Sequence, residues 1–273
     1  MSFQNFRPSG FNVLPTVIKN LLIVNGLFFL ATIVFELKLH TDLSDYLGLH
    51  YVSSDKFMPH QFITYMFMHG GFGHVFFNMF ALWMFGNAIE NIWGPKRFLI
   101  FYVVCGLGAA LTHLGYTYFT MLPLHEFISH PTVQGYEDIF NGKNAVFFEP
   151  EGTQQFINDW TRNPDQPSYI QSALSEIRLL LQIKADIPVV GASGCVFGIL
   201  LAFGMMFPNN MIYIYFLFPI KAKYFVLIYG AIELFSGIAD VPGDSTAHYA
   251  HLGGMLFGFI LIKIWNRRSG PFY

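Results

Sequence analysis

Apolar positions in this chain gather into long, nearly uninterrupted stretches separated by short polar segments. The first, residues 18–35 (IKNLLIVNGLFFLATIVF), is long enough to cross a bilayer. Lys19 stands at its start and no small-residue cleavage site follows, so it reads as a retained helix rather than a signal peptide. Further apolar stretches cover about residues 73–88, 98–116, 191–207, 224–238 and 247–265. The pattern predicts an all-α membrane protein with six transmembrane helices, residues 1–273 forming one membrane domain. An even number of spans puts both termini on the same side. Arg7, Lys19, Lys96, Arg97, Lys221, Lys223, Lys263, Arg267 and Arg268, nine of the 15 basic residues, fall in short segments on that side. By the positive-inside rule it is the cytoplasmic one. The opposite face collects residues 37–72, residues 117–190 and the acidic turn with Asp240 and Asp244.

The segment 117–190 is too polar in its middle (NGKNAVFFEPEGTQQFINDWTRNPDQPS) to be another span and too long for an ordinary connection. It is expected to form an external insertion, a subdomain or cap, between the third and fourth spans. Its last part, SALSEIRLLLQIK, has apolar residues at helical spacing and is expected to lie at the membrane interface. No internal repeat is visible, which argues against an inverted-repeat transporter.

Composition supports the membrane reading. Only 12% of residues are Asp, Glu, Lys or Arg, against about 25% in soluble domains. Aromatic residues make up 18%, with 32 phenylalanines. The net charge of -2 leaves no basic stripe for phosphates and excludes a nucleic-acid partner. Cys105 and Cys195 both lie in apolar segments and define no disulfide framework.

Polar groups at membrane depth are costly, and here a few converge. Ser193 opens the fourth span within GASG, flanked by Gly191 and Gly194, which leave its hydroxyl uncrowded as a nucleophile requires. Taken alone, the same small residues fit close helix packing. His251 lies in the sixth span, AHYAHLGGMLFG, where Gly254 and Gly258 form a G-x-x-x-G face that brings a neighbouring helix close to the imidazole. Ser193 is 15 residues, about 22 Å of helix, from Pro208, and His251 is 12 residues, about 18 Å, from Lys263. Both are therefore expected at similar depth, beneath a water-filled cavity open to the external side. His74 and Asn78, four apart on one face of the second span, offer hydrogen-bond donors that burial penalises unless they are aimed at something.

With HVFFN around His74, GASG around Ser193 and AHLGG around His251, in that order, the chain resembles the rhomboid intramembrane serine proteases of bacterial type. The resemblance covers the six-span core. It implies a catalytic dyad without an acid member, Ser193 as nucleophile and His251 as general base, with His74 and Asn78 stabilising the oxyanion. It also implies transmembrane protein substrates, membrane lipid as surroundings, residence as a multi-pass protein in a cell membrane of bacterial inner-membrane type, and no metal or organic cofactor. Where members of the family often carry a tyrosine against the catalytic histidine, this chain has Phe197. The histidine is therefore expected to be held by stacking alone. His69 reads as part of the turn into the second span. Glu233, in the middle of the fifth span (YGAIELFSG), is assigned a structural or gating role, because the family's fifth helix is thought to move aside for substrate.

Two other classes compete. His248 and His251, with His69 and His74, raise a membrane metalloprotease, against which stand the lack of HExxH and the expectation that no acidic residue sits beside these histidines. A non-catalytic relative that binds or escorts membrane proteins, or a transporter, has no need for Ser193, His251, His74 and Asn78 together.

Overall fold

In a computed structural model of the protein, residues 12–141, 144, 147, 149–214, 217–239 and 246–269 are described. Arg7, Asp240 and Asp244, used above to assign sides, lie outside them, as does the side chain of Arg268. The described residues form α1 (Thr16–Leu39), α2 (Ser44–Leu47), α3 (Gln61–Thr64), a 3-10 turn (Tyr65–Phe67), α4 (Phe72–Trp93), α5 (Pro95–Ser129), α6 (Val133–Phe140), α7 (Pro150–Arg162), α8 (Pro167–Asp186), α9 (Ser193–Met206), α10 (Ala222–Ala239) and α11 (His248–Ser269). A hairpin of β1 (Met211–Ile214) and β2 (Phe218–Lys221) joins α9 to α10, pairing Met211 with Lys221 and Ile214 with Phe218.

Each of the six apolar stretches is a helix. Four of them, α1, α4, α5 and α10, are long and apolar enough to cross a membrane. The 14-residue α9 is shorter, and the histidines and Lys263 of α11 lower its hydropathy. Except for α9, which covers 193–206 of its stretch 191–207, the helices outrun the apolar stretches that announce them, because polar residues at bundle ends continue a helix wherever their backbone bonds are met. The extreme case is α5, whose 35 residues extend well past residue 116.

Helix α9 is the axis of the bundle. Every residue from Gly194 to Leu200 is buried, whereas α1 buries only Ile18, Leu21 and Asn25 and turns Leu27 and Leu30 outward. Helix α11 packs most extensively against α5 and α9. One buried carboxylate organises the end of the bundle near Trp93. Helix α1 follows Pro15 and has no side-chain cap of its own. Glu90 of α4 supplies it, accepting from the backbone N–H of Val17 and of Ile18 at 2.9 Å each. A carboxylate at a helix N-terminus meets both the unpaired N–H groups and the positive end of the dipole.

The described residues of 117–190 are largely helical. The end of α5 packs with α6, α7 and α8 around a buried apolar cluster of its own, with Phe127, Tyr136, Trp160, Ala173, Ile177 and Leu180 at its centre. Thr132 caps α6 by accepting from the Gly135 N–H at 3.0 Å. Tyr136 donates to the Glu176 carboxylate, and burial together with that neighbour pushes its phenol well above the usual range. The apolar stripe of α8 was expected at the membrane interface. Instead Ala173, Ile177 and Leu180 are fully buried in this cluster, which consumes the stripe.

From α8 the chain returns to the bundle along an ordered path. Ser54 donates to the Asp186 carboxylate at 2.5 Å, Tyr51 N–H to Ala185 C=O at 3.1 Å, and Leu49 and Val189 exchange both backbone bonds at 2.9 Å as an antiparallel bridge. Gly191 N–H then donates to Tyr65 C=O at 2.9 Å, two residues before Ser193.

Candidate active site

The turn that delivers Ser193 depends on Gly191, whose φ of +130° is one that L side chains rarely adopt. A Cβ there would fall 2.8 Å from Nε2 of His74 and 3.5 Å from Oγ of Ser193, so both groups flank the space the missing side chain leaves. Ser193 is the first residue of α9 and is half-buried. The first N–H groups of a helix have no partner within it, and Ser193 opens that first turn.

His251 meets it from α11. Nε2 of His251 lies 2.8 Å from Oγ of Ser193. The approach rests on the small residues singled out in the sequence. A Cβ on Gly254 would fall 1.9 Å from the Gly194 carbonyl oxygen, and one on Gly194 would fall 2.4 Å from Ala109 Cβ of α5. Gly258 continues the contact one turn on, with Gly198 and Cys105 as neighbours. Backbone therefore rests directly on backbone where α9 crosses α11.

The ring of Phe197 stacks on His251 with centroids 4.3 Å apart and planes 7° apart, and Tyr229 of α10 packs on its side at 4.9 Å. Stacking is not the imidazole's only support. Nδ1 of His251 donates to Oε2 of Glu233 at 2.8 Å, and Nδ1 of His248 donates to the same oxygen at 2.7 Å. This corrects two expectations: an acidic residue does sit beside these histidines, and the dyad pattern acquires a carboxylate on the far side of its imidazole. Glu233 is 5% exposed and His251 8%. The sequence marked Glu233 as an ionisable group at membrane depth and His248 as three residues from His251. What it lacked was the relative placement of α10 and α11 that joins them.

Glu233, His248 and His251 each offer a ligand-type atom, all within 4.8 Å of one another. These are donor types that zinc accepts. The hydrogen bonds among them use the same atoms, so the cluster is coherent as a proton-holding arrangement.

His74 comes to the serine from α4, and Asn78 lies one turn further along the same helix. Gly70 N–H donates to Nδ1 of His74 at 3.4 Å, which makes Nδ1 the acceptor and puts the ring proton on Nε2, facing the space beside Ser193. Asn78 is buried, and its Nδ2 has no hydrogen-bond partner among the described residues. Two donors on one helix face, one of them buried and unused, are what a developing negative charge would need. His69, buried, packs edge-on against His74 with centroids 5.1 Å apart and supports that ring.

A helical bundle with apolar outer faces is that of a membrane protein, and inside it a serine hydroxyl is hydrogen-bonded to a histidine. The model of the Rhomboid domain matches residues 56–125 and 168–268, more than half of the chain, which therefore belongs to the Rhomboid family. The match is interrupted across the end of α5, α6 and α7. The chain is similar to RHOMBOID-like protein 12, mitochondrial, of Arabidopsis thaliana, at 25% identity over 228 residues, 81% of this chain and 51% of the relative. It is also similar to the Rhomboid protease GluP of Bacillus subtilis (strain 168), at 37% identity over 49 residues, 18% of this chain and 10% of the relative. The chain thus spans about half the length of the plant relative and about a tenth of the bacterial one.

Proposed function

We propose that the protein is an intramembrane serine endopeptidase that cleaves transmembrane segments of membrane proteins. The observation that carries this reading is the 2.8 Å bond between Oγ of Ser193 and Nε2 of His251, buried inside an apolar bundle. Nε2 takes the serine proton as Oγ attacks the scissile carbonyl, and gives it to the leaving amine as the acyl-enzyme forms. Water then adds with the same imidazole as base, and the second product leaves as a carboxylic acid. His74 Nε2–H and Asn78 Nδ2–H donate to the tetrahedral oxyanion, as do first-turn N–H groups of α9. A helical amide is hydrogen-bonded and sterically closed, so the substrate segment unwinds near its outer end and presents a small residue at Ser193.

In this reading α1, α4, α5, α9, α10 and α11 are six membrane spans with both termini cytoplasmic. The helical insertion lies on the external face, and the protein resides as a multi-pass protein in a cell membrane of bacterial inner-membrane type. Lipid surrounds the outward apolar faces of α1 and α10, and no cofactor takes part. The name of the bacterial relative, a protease, and the family membership support the enzymatic reading over an escort role.

The test is cleavage of a model transmembrane substrate in detergent, with labelling by a fluorophosphonate probe alongside. Wild type is expected to cleave and label, and Ser193→Ala and His251→Ala to do neither. A Ser193→Ala protein that cleaves at the wild-type rate refutes the assignment.

A further inference from the structure

Burying a carboxylate in an apolar helix is costly unless its oxygens find donors. Among the described residues Glu233 has two, and they come from one helix: Nδ1 of His248 and Nδ1 of His251 converge on Oε2 at 2.7 and 2.8 Å, while Nε2 of His251 faces Ser193 at 2.8 Å. Serine hydroxyl, imidazole and carboxylate thus form a continuous line of hydrogen bonds across the crossing of α9, α11 and α10. Resting on the serine-hydrolase reading above, we infer that Glu233 is a positioning residue for the reaction, the acid member of a Ser193–His251–Glu233 triad. His248 is the anchor that holds Glu233 in register.

The role follows from what Phe197 does not do. Stacking at 4.3 Å and 7° fixes the plane of the His251 ring, but a stacked ring has the same plane after a half-turn about its Cβ–Cγ bond. That half-turn exchanges Nε2 with Cε1 and would leave a C–H facing Ser193. It also removes Nδ1 from Oε2, so Glu233 opposes it. By accepting from Nδ1 the carboxylate keeps the ring proton there and leaves Nε2 as the acceptor that a general base needs. When Nε2 takes the serine proton, the positive charge forms one ring away from a buried negative one, which stabilises it.

His248 answers why one oxygen serves two rings. Its plane lies 88° from that of His251, so the two approach Oε2 from different directions. A Cβ on Gly237, one turn beyond Glu233 on α10, would touch the His248 Cβ at 3.2 Å, so small residues hold α10 and α11 close at this level.

The test measures kcat and KM separately for wild type, Glu233→Gln, Glu233→Asp and Ser193→Ala on the model transmembrane substrate in detergent, with monodispersity and thermal melting as checks of folding. Expected for Glu233→Gln is a fall in kcat on the order of 10²-fold, within the range for losing acid–base assistance, with KM within about twofold. Glu233→Asp, which keeps the charge one methylene further back, is expected to recover part of the loss. A tether that merely joins α10 to α11 would lower the melting temperature and leave kcat of the folded enzyme alone. Folded Glu233→Gln with wild-type kcat therefore overturns the inference while Ser193→Ala stays inactive. Activity in Ser193→Ala would instead remove the reading beneath it. Should Glu233→Gln fail to fold, Glu233→Asp decides alone: a drop in kcat of about tenfold at constant KM supports the triad, and unchanged kcat overturns it.

Discussion

Gly254 of α11 rests on the carbonyl of Gly194 in α9, so closely that a Cβ would stand 1.9 Å from that oxygen. This contact bears on the proposed active site, since Ser193 precedes Gly194 by one residue and His251 precedes Gly254 by three. Backbone cannot yield as a flexible side chain can, so Gly254→Ala must push the two helices apart. A shift of even 1 Å at a catalytic pair costs about 10²-fold. We expect Gly254→Ala to lose at least that much activity and to melt at a lower temperature in detergent. Gly115, whose Cβ meets nothing within 4 Å, is the control: Gly115→Ala should leave both unchanged.

Phe197 covers one face of the His251 ring, and Tyr229 supports it from α10. Replacing it by leucine keeps apolar bulk but loses the planar contact, worth about 0.5–1.5 kcal/mol for a ring pair. Because Glu233 still holds Nδ1, Phe197→Leu should slow turnover by only about two- to tenfold, the rate equivalent of that energy. Steady-state cleavage of the model substrate measures it. A loss near that of His251→Ala would mean that stacking, rather than the carboxylate, sets the ring.

The unused donor of Asn78 invites a direct measurement. Its Nδ2 is buried without a partner among the described residues, one turn from a His74 whose acceptor nitrogen is engaged by Gly70. Removing one donor from an oxyanion site costs about 10²–10³-fold in kcat. Asn78→Ala is expected to show that loss with KM nearly constant, and to melt no lower than wild type because an unsatisfied buried donor has been removed. Wild-type kcat in folded Asn78→Ala would take it out of the oxyanion site.

How much of this was legible in the sequence differs from residue to residue. Ser193, His251, His74 and Asn78 could be named because each is a polar group in an apolar run, where burial makes polarity conspicuous. The six apolar runs gave the helices for the same reason. Their ends did not follow, since hydropathy falls where a helix leaves lipid and not where its hydrogen bonds stop. This is why α5 overran its apolar stretch by more than three turns. Glu233 was equally conspicuous, yet its partner depended on the rotation and height of α10 against α11, and that is set by contacts such as Gly237 against His248 rather than by either helix's own pattern. Glu90 as the cap of α1 was invisible for a related reason. The acceptor stands more than 70 residues from the N–H groups it satisfies. The apolar stripe of α8 was read with the right period and assigned to the wrong neighbour, because a stripe states that a face is buried and not what buries it.

The helical segment from the end of α5 to α8, proposed above as an insertion, offers the last prediction, because its core and its attachment can be disturbed separately. Trp160 is 2% exposed in a cluster with Tyr136, Phe156 and Ile177, whereas Ser54 and Asp186, outside that cluster, fasten the end of α8 to the segment after α2. The Rhomboid match is interrupted where α6 and α7 stand and resumes with α8, so the bundle's architecture does not call for Trp160. Trp160→Ala should cost the insertion about 3–5 kcal/mol, enough to loosen it. Limited proteolysis in detergent should then cut between residues 130 and 166 while α9 and α11 stay protected, and cleavage of a generic substrate should continue. Ser54→Ala makes the opposite change: it leaves the insertion's core intact but releases Asp186 five residues before Gly191, whose turn presents Ser193. Its melting should barely move and its kcat should fall severalfold. If Trp160→Ala instead exposes α9 to protease and abolishes cleavage, the insertion and the bundle fold as one unit, and the insertion supports the serine directly.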